Sequence, residues 1–111
     1  MWYIFPQLRG LGRSYNSNYY GLSGKDEALA YLENPILSER LRTVCTAILG
    51  LDTSDARSVF GGIDSYKLRS SMTIFDLVSP DDVFASVLDK YFDGRRDRRT
   101  IRLIEKNRLT V

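Results

Sequence analysis

Arg9 and Arg13 bracket a short Gly10-Leu11-Gly12 segment, and Gln7 lies two residues upstream of Arg9. Glycine-containing loops leave backbone N–H groups free to converge, and two guanidiniums beside them suit a phosphate or carboxylate. Further along the chain, Lys67 and Ser70 stand one helical turn apart on one face, and Thr73 follows a turn later. These residues give a candidate ligand-binding set of Gln7, Arg9, Arg13, Lys67 and Ser70. Arginine and lysine would hold an anion, Gln7 would orient a polar group, and Trp2 or Tyr20 could stack on a base. The structural alternatives are a plain turn with solvated arginines, and a polar stripe that forms the wet side of a helix opposite Leu68, Met72 and Phe75. The Gly-Leu-Gly segment lacks the third glycine and the preceding strand of a dinucleotide fingerprint. Lys67 and Ser70 also have the spacing of a Ser-Lys nucleophile pair, but any helix offers that spacing, so no catalytic residue is assigned.

Several chemistries are excluded by what the chain lacks. It contains no histidine, which removes Ser-His-Asp and Cys-His catalysis within the chain. A single cysteine, Cys45, and scattered carboxylates do not make the usual zinc ligand set, so neither a metal site nor a cofactor is expected. Cys45 falls in an apolar stripe with nothing nearby to lower its pKa, and reads as a buried core thiol. One cysteine allows no internal disulfide, which points to a reducing compartment. With no basic and apolar leader and no run of about 20 apolar residues, the expected location is the cytoplasm and no membrane contact is expected.

The formal charge is only +2, but it is unevenly spread. Residues 1–91 carry 9 basic and 11 acidic groups, whereas residues 92–111 carry 7 basic and 3 acidic, a local excess of +4. The run DGRRDRRTIRLIEK, residues 93–106, resembles a nucleic-acid patch in composition. However, Asp93, Asp97 and Glu105 interrupt it and no aromatic is interleaved for stacking, so nucleic acid is not the expected partner.

These groups must be positioned by helices. The length of 111 residues and 43% hydrophobic content fit one domain with one core. Residues 1–22 hold Trp2, Tyr3, Phe5, Tyr15, Tyr19 and Tyr20, with Pro6 stopping any helix near Phe5. This reads as an aromatic, glycine-containing N-terminal loop, whose aromatics either pack on later helices or form a contact surface for self-association. Helical spacing follows over Lys25 to Glu33 and over Ile36 to Leu49, with Pro35 at the junction and Ile36, Leu37, Leu41, Val44, Cys45, Ile48 and Leu49 as an apolar stripe. Gly50 would close the second helix as a left-handed cap. Ser54 would cap a short helix to Phe60, and Asp64 or Ser65 would start another running to Val78. Ser79-Pro80-Asp81-Asp82 reads as a helix start, with a capping serine, a first-position proline and acids in the first turn. That helix would bury Val83, Phe84, Val87, Leu88, Tyr91 and Phe92 and stop at Asp93-Gly94. Asp97 would cap a last helix that turns Ile101 and Ile104, and with them Leu103, inward and frays beyond Asn107. No segment alternates over strand length. The expectation is an all-α protein, one compact domain over residues 1–111 with about five or six helices.

Four blocks, MWYIFPQLRGLGRS, YLENPILSERLR, VFGGIDSYKLRSSMTIFDLV and VLDKYFDGRRDRRT, resemble the bacterial family known as domain of unknown function 1810, some members of which carry a calpastatin label. The likeness runs in the same order over nearly the whole chain and is sharpest in WYIFPQLRGLG and KLRSSMTIF. The resemblance implies an all-helical fold and no particular activity. It also implies that a further helical segment and a Trp precede the Met-Trp pair, so that the chain is a member truncated at its N-terminus. A fold-level likeness to helical proteins acting on ADP-ribose derivatives suggests a nucleotide or ADP-ribose derivative as the small anionic ligand. The alternative is a non-catalytic protein-interaction module using the aromatic N-terminal segment.

Overall fold

The structure is a computed structural model that describes Phe5, Pro6, Leu22 and residues 24–109, except for the side chains of Ile63 and of residues 106–109. Among the described residues it holds six helices. These are α1 (Lys25–Glu33), α2 (Pro35–Leu49), α3 (Ala56–Phe60), α4 (Gly62–Val78), α5 (Val83–Phe92) and α6 (Arg98–Leu109). The all-α expectation holds. Thr110 and Val111, half of the expected fraying tail, lie outside the described residues, and α6 itself continues past Asn107 to Leu109.

Local chemistry sets most boundaries. Gly24 gives α1 no side-chain cap, but Asp26 and Glu27 occupy its first turn, where carboxylates complement the helix dipole. Asn34 ends α1 in extended geometry, as the residue before a proline must. The same residue starts α2, because its side-chain oxygen accepts from the N–H groups of Ile36 and Leu37 at 3.0 and 3.1 Å. Pro35 then takes the first helical position.

Several local readings are corrected. Asp55, not Ser54, caps α3, its carboxylate accepting from the Arg57 and Ser58 N–H groups and from the Ser58 hydroxyl. Helix α4 starts at Gly62, directly after Gly61, whose φ of 83° breaks the chain away from α3. Ser79 closes α4 rather than starting α5; Asp81 lies at φ 59°, so Pro80 cannot share the next helix, and Asp82 is the true cap. Ser79 takes part by donating its hydroxyl to Asp82 Oδ2 at 2.7 Å. Gly50 is not left-handed, having φ −80° and ψ −6°. The end of α2 is closed from outside instead. Lys90 donates to the Leu49 and Leu51 carbonyls, and the Tyr91 hydroxyl donates to that of Ile48, so α5 satisfies acceptors that α2 leaves open. Ile36, expected in the α2 stripe, is 61% exposed; Leu41, Cys45 and Ile48 form the inner line.

Helix α4 is the centre of the fold. It packs against α1, α3, α5 and α6, and every residue from Ser70 to Asp76 is buried. Its apolar side carries Leu68, Met72, Ile74 and Phe75, each with no exposure. The Phe75 ring meets Tyr31 of α1 at 5.5 Å and Phe84 of α5 at 5.4 Å between centroids. The Cys45 thiol lies 3.7 Å from the Met72 sulfur. Phe5 and Leu22 also belong to this core, at 2% and 5% exposure, so the N-terminal stretch is anchored at both places.

Candidate functional site

The serines and threonine of α4, with Asp76, are buried and not solvated, and that burial defines the candidate site. Ser70, Ser71 and Thr73 are 1%, 0% and 0% exposed, and Asp76 is 6% exposed. A buried polar group needs a partner, and the opening of α6 provides most of them. Asp97 precedes α6, and its Oδ2 accepts from both the N–H and the hydroxyl of Thr100, at 3.0 and 2.6 Å. Thr100 Oγ1 lies 2.7 Å from Ser70 Oγ. A carboxylate only accepts, so the Thr100 proton goes to Asp97 and the Ser70 proton goes to Thr100. The three groups form one chain, Ser70 to Thr100 to Asp97, with both protons pointing toward the carboxylate. Ser70 therefore keeps only acceptor capacity.

A second set of bonds binds the same loop. Thr73 donates its hydroxyl to the Arg69 carbonyl at 2.7 Å, and its oxygen accepts from the Asp97 N–H at 2.9 Å. Arg69 grips the loop with two donors, to the carbonyls of Arg95 and Arg96 at 2.9 Å each. Arg96 returns to α4, pairing with Asp76 at 2.9 Å, and also donates to the Gly94 carbonyl at 2.8 Å. Asp93 and Gly94 turn the chain into this loop with φ values of 53° and 74°.

Ser71 stands apart. Its hydroxyl is fully buried and makes no hydrogen bond. Lys67, half-buried, lies one turn before both Ser70 and Ser71 on α4. The structure thus describes two of the predicted ligand-binding residues, Lys67 and Ser70, on the same helix. Gln7, Arg9 and Arg13 lie outside the described residues, as do Trp2 and Tyr20. Ser71 and Thr100 were not singled out from sequence. Thr100 had a local signal, three residues after a capping aspartate, whereas Ser71 had none.

Elsewhere, an open groove of about 560 Å³ runs along α2, with Tyr31, Ile36, Leu37, Arg40 and Val44 among its walls. Neither Lys67 nor Ser70 lines it. Burial raises the Tyr31 hydroxyl pKa there, and Arg40 partly opposes the shift. Among the described residues, no group of three or more Cys, Asp or Glu could hold a metal ion. No described helix is long and apolar enough to cross a membrane. Cys45 is pushed up to about 12 by burial, which makes it a thiol and not a nucleophile at neutral pH.

The profile of a family described as protein of unknown function (DUF1810) matches residues 1–104. The chain is also similar to a conserved hypothetical protein, Rv1873 from Mycobacterium tuberculosis, known from a crystal structure. The two share 39% identity at a TM-score of 0.90, over 94% of this chain and 75% of that one. No protein of curated function matches.

Proposed function

We propose that this chain, which belongs to the DUF1810 family of proteins of unknown function, binds a small anionic ligand between its N-terminal stretch and α4. The ligand class is a nucleotide or an ADP-ribose derivative. The observation that carries this reading is the Ser71 hydroxyl, fully buried and without a hydrogen bond, one turn from Lys67. Leaving such a group unsatisfied costs about 1–3 kcal/mol. An anion lodged beside α4 would accept its proton and take charge from Lys67. Arg9 and Arg13 would add two guanidiniums from the N-terminal stretch, and Gln7 a neutral amide. Ser70 contributes differently: its proton belongs to Thr100, so it would meet a ligand as an acceptor. That suits a ribose hydroxyl or an adenine amine and not a phosphate. The alternative, an aromatic N-terminus exposed for partner proteins, gains nothing from Phe5, which lies in the chain's own core.

The test is a thermal melt with ADP-ribose, NAD, ATP and inorganic phosphate in turn. A ligand at a hundred times its Kd adds about 2.7 kcal/mol to the folded state and raises the midpoint accordingly. A shift with one nucleotide, lost in Arg13→Ala with Lys67→Ala, supports the reading. No shift with any of the four, or a shift indifferent to both substitutions, refutes it.

A further inference from the structure

Helix α6 opens on a cluster of cations, behind the Asp97 carboxylate that caps it. Its first two residues are Arg98 and Arg99, Arg102 follows a turn later, and Arg95 lies in the loop just before. All four are exposed. The first turn contains no acidic residue, so cations sit at the end of the helix dipole that favours anions. Arginines three and four residues apart also repel one another. The Asp97 carboxylate, which caps this end, offsets part of the effect, and the exposed arginines gather positive charge at the start of the helix.

The acids that interrupt this run in sequence form no ion pair with its exposed arginines. Asp97 is 6% exposed and its Oδ2 is committed to Thr100. Asp76 is taken by Arg96. Among the described residues the ion pairs are Arg42–Asp82 and Arg96–Asp76, so neither Asp93 nor Glu105 pairs with the exposed arginines. Arg69 adds a further positive charge at the same place, held by two backbone carbonyls and no carboxylate. The loop is fixed from below, which holds the arginine face in one arrangement and lowers the entropy lost when it binds.

We propose that the α6 arginine face, Arg95, Arg98, Arg99 and Arg102, docks the phosphate backbone of a nucleic-acid duplex. The choice of partner rests on three features. These four exposed cations are all arginines, whose planar fork matches phosphate oxygens better than lysine does. Among the described residues, none of the exposed large apolar side chains, Leu29, Ile36, Leu51, Val59 and Tyr66, lies on α6, so no apolar centre of a protein interface accompanies the four arginines. Arg95 to Arg102 contains no aromatic to stack on unpaired bases, which favours a duplex read through its backbone, without sequence preference. This surface is distinct from the ligand site proposed at Lys67 and Ser71 and stands without it.

The test measures binding of the whole chain to a fluorescent 20-base-pair DNA duplex by anisotropy at several salt concentrations. Four phosphate contacts give a slope of about −3.6 in log K against log salt, a loss of about 150-fold between 50 and 200 mM. The double variant Arg98→Glu with Arg102→Glu should halve that slope and weaken binding at low salt at least tenfold. Its melting midpoint should equal or exceed that of the wild type, because a carboxylate now sits in the first turn. Arg98→Gln with Arg102→Gln gives a second, uncharged control for the fold. The proposal fails if wild-type binding is flat with salt, or if the variants bind the duplex as the wild type does. It also fails if the wild type binds vesicles with anionic headgroups but not the duplex, which would assign the face to a membrane surface.

Discussion

The Ser70–Thr100–Asp97 chain predicts a specific pattern of stability losses. Thr100→Val removes the hydroxyl and keeps the shape. That hydroxyl is fully buried and holds two hydrogen bonds, one to Asp97 Oδ2 at 2.6 Å and one to Ser70 Oγ at 2.7 Å. A bond to a charged group contributes about 1.5–3 kcal/mol and a neutral one about 0.5–1.5 kcal/mol. The new methyl recovers under 1 kcal/mol through apolar burial. The net loss is about 2–3 kcal/mol, or roughly 10 °C in the melting midpoint of a chain this size. Ser70→Ala removes only the neutral bond and should cost about 1 kcal/mol. Ser71→Ala removes a hydroxyl that bonds to nothing and should cost nothing or stabilise slightly. Urea unfolding of the single variants and of Ser70→Ala with Thr100→Val measures the pattern, and the pair should be non-additive by about 1 kcal/mol because the residues share a bond. The reasoning is refuted if Thr100→Val loses less than about 0.5 kcal/mol, or if Ser71→Ala is as damaging as Thr100→Val.

Two further outcomes follow from ionisable groups. The hydrogen bond from Arg42, then those from the Val83 N–H and the Ser79 hydroxyl, lower the Asp82 carboxyl from 3.8 to about 2. A lowered carboxylate stabilises the fold above its unfolded pKa and loses that contribution as pH falls through its folded pKa. Asp82→Asn should therefore cost about 1–2 kcal/mol at pH 7, after allowing for solvent around the half-exposed Arg42, and the difference should close between pH 4 and pH 2. A gap that stays constant over that range contradicts the pairing. Cys45, buried and raised to about 12, should resist an aromatic disulfide reagent at pH 8 until urea unfolds the chain. The sign is opposite to that of Asp82: its contribution is complete below pH 9 and is lost as pH rises toward 12. Rapid labelling of the native protein would place the thiol at the surface.

The helices were legible in the sequence where local rules suffice. Pro35 after Asn34 fixes the break between α1 and α2, and Asp93-Gly94 stops α5 where both residues take positive φ. Boundaries went astray where two good local signals compete. Ser54 and Asp55 are both capping residues, and only Asp55 holds the geometry to take three donors. Ser79-Pro80-Asp81-Asp82 reads as a single start signal, yet it spans the end of α4, a left-handed residue and the cap of α5. Gly50 lacks its left-handed turn because Lys90 and Tyr91, some forty residues later, reach the carbonyls at the end of α2. No reading of α2 alone could anticipate them.

The candidate site shows the same division more sharply. The spacing of Lys67 and Ser70 correctly places them on one helix, but it cannot say which side of that helix is wet. A helix whose Ser, Thr and Asp residues alternate with apolar ones looks amphipathic, with a polar face for solvent. Helix α4 is instead enclosed, because Thr73 satisfies the Arg69 carbonyl within the helix while Thr100 and Arg96 arrive from α6 and its loop to satisfy Ser70 and Asp76. Those partners also change what the site residues can do. Ser70 donates its hydroxyl to Thr100, the Asp97 carboxylate turns inward to Thr100, and the exposed arginines of α6 are left without an ion-pair partner. One buried network therefore leaves Ser70 only acceptor capacity for a ligand and draws the Asp97 carboxylate inward while the arginines stay exposed. Both consequences depend on pairings about thirty residues apart, so sequence order conceals them and the packing of α6 on α4 reveals them.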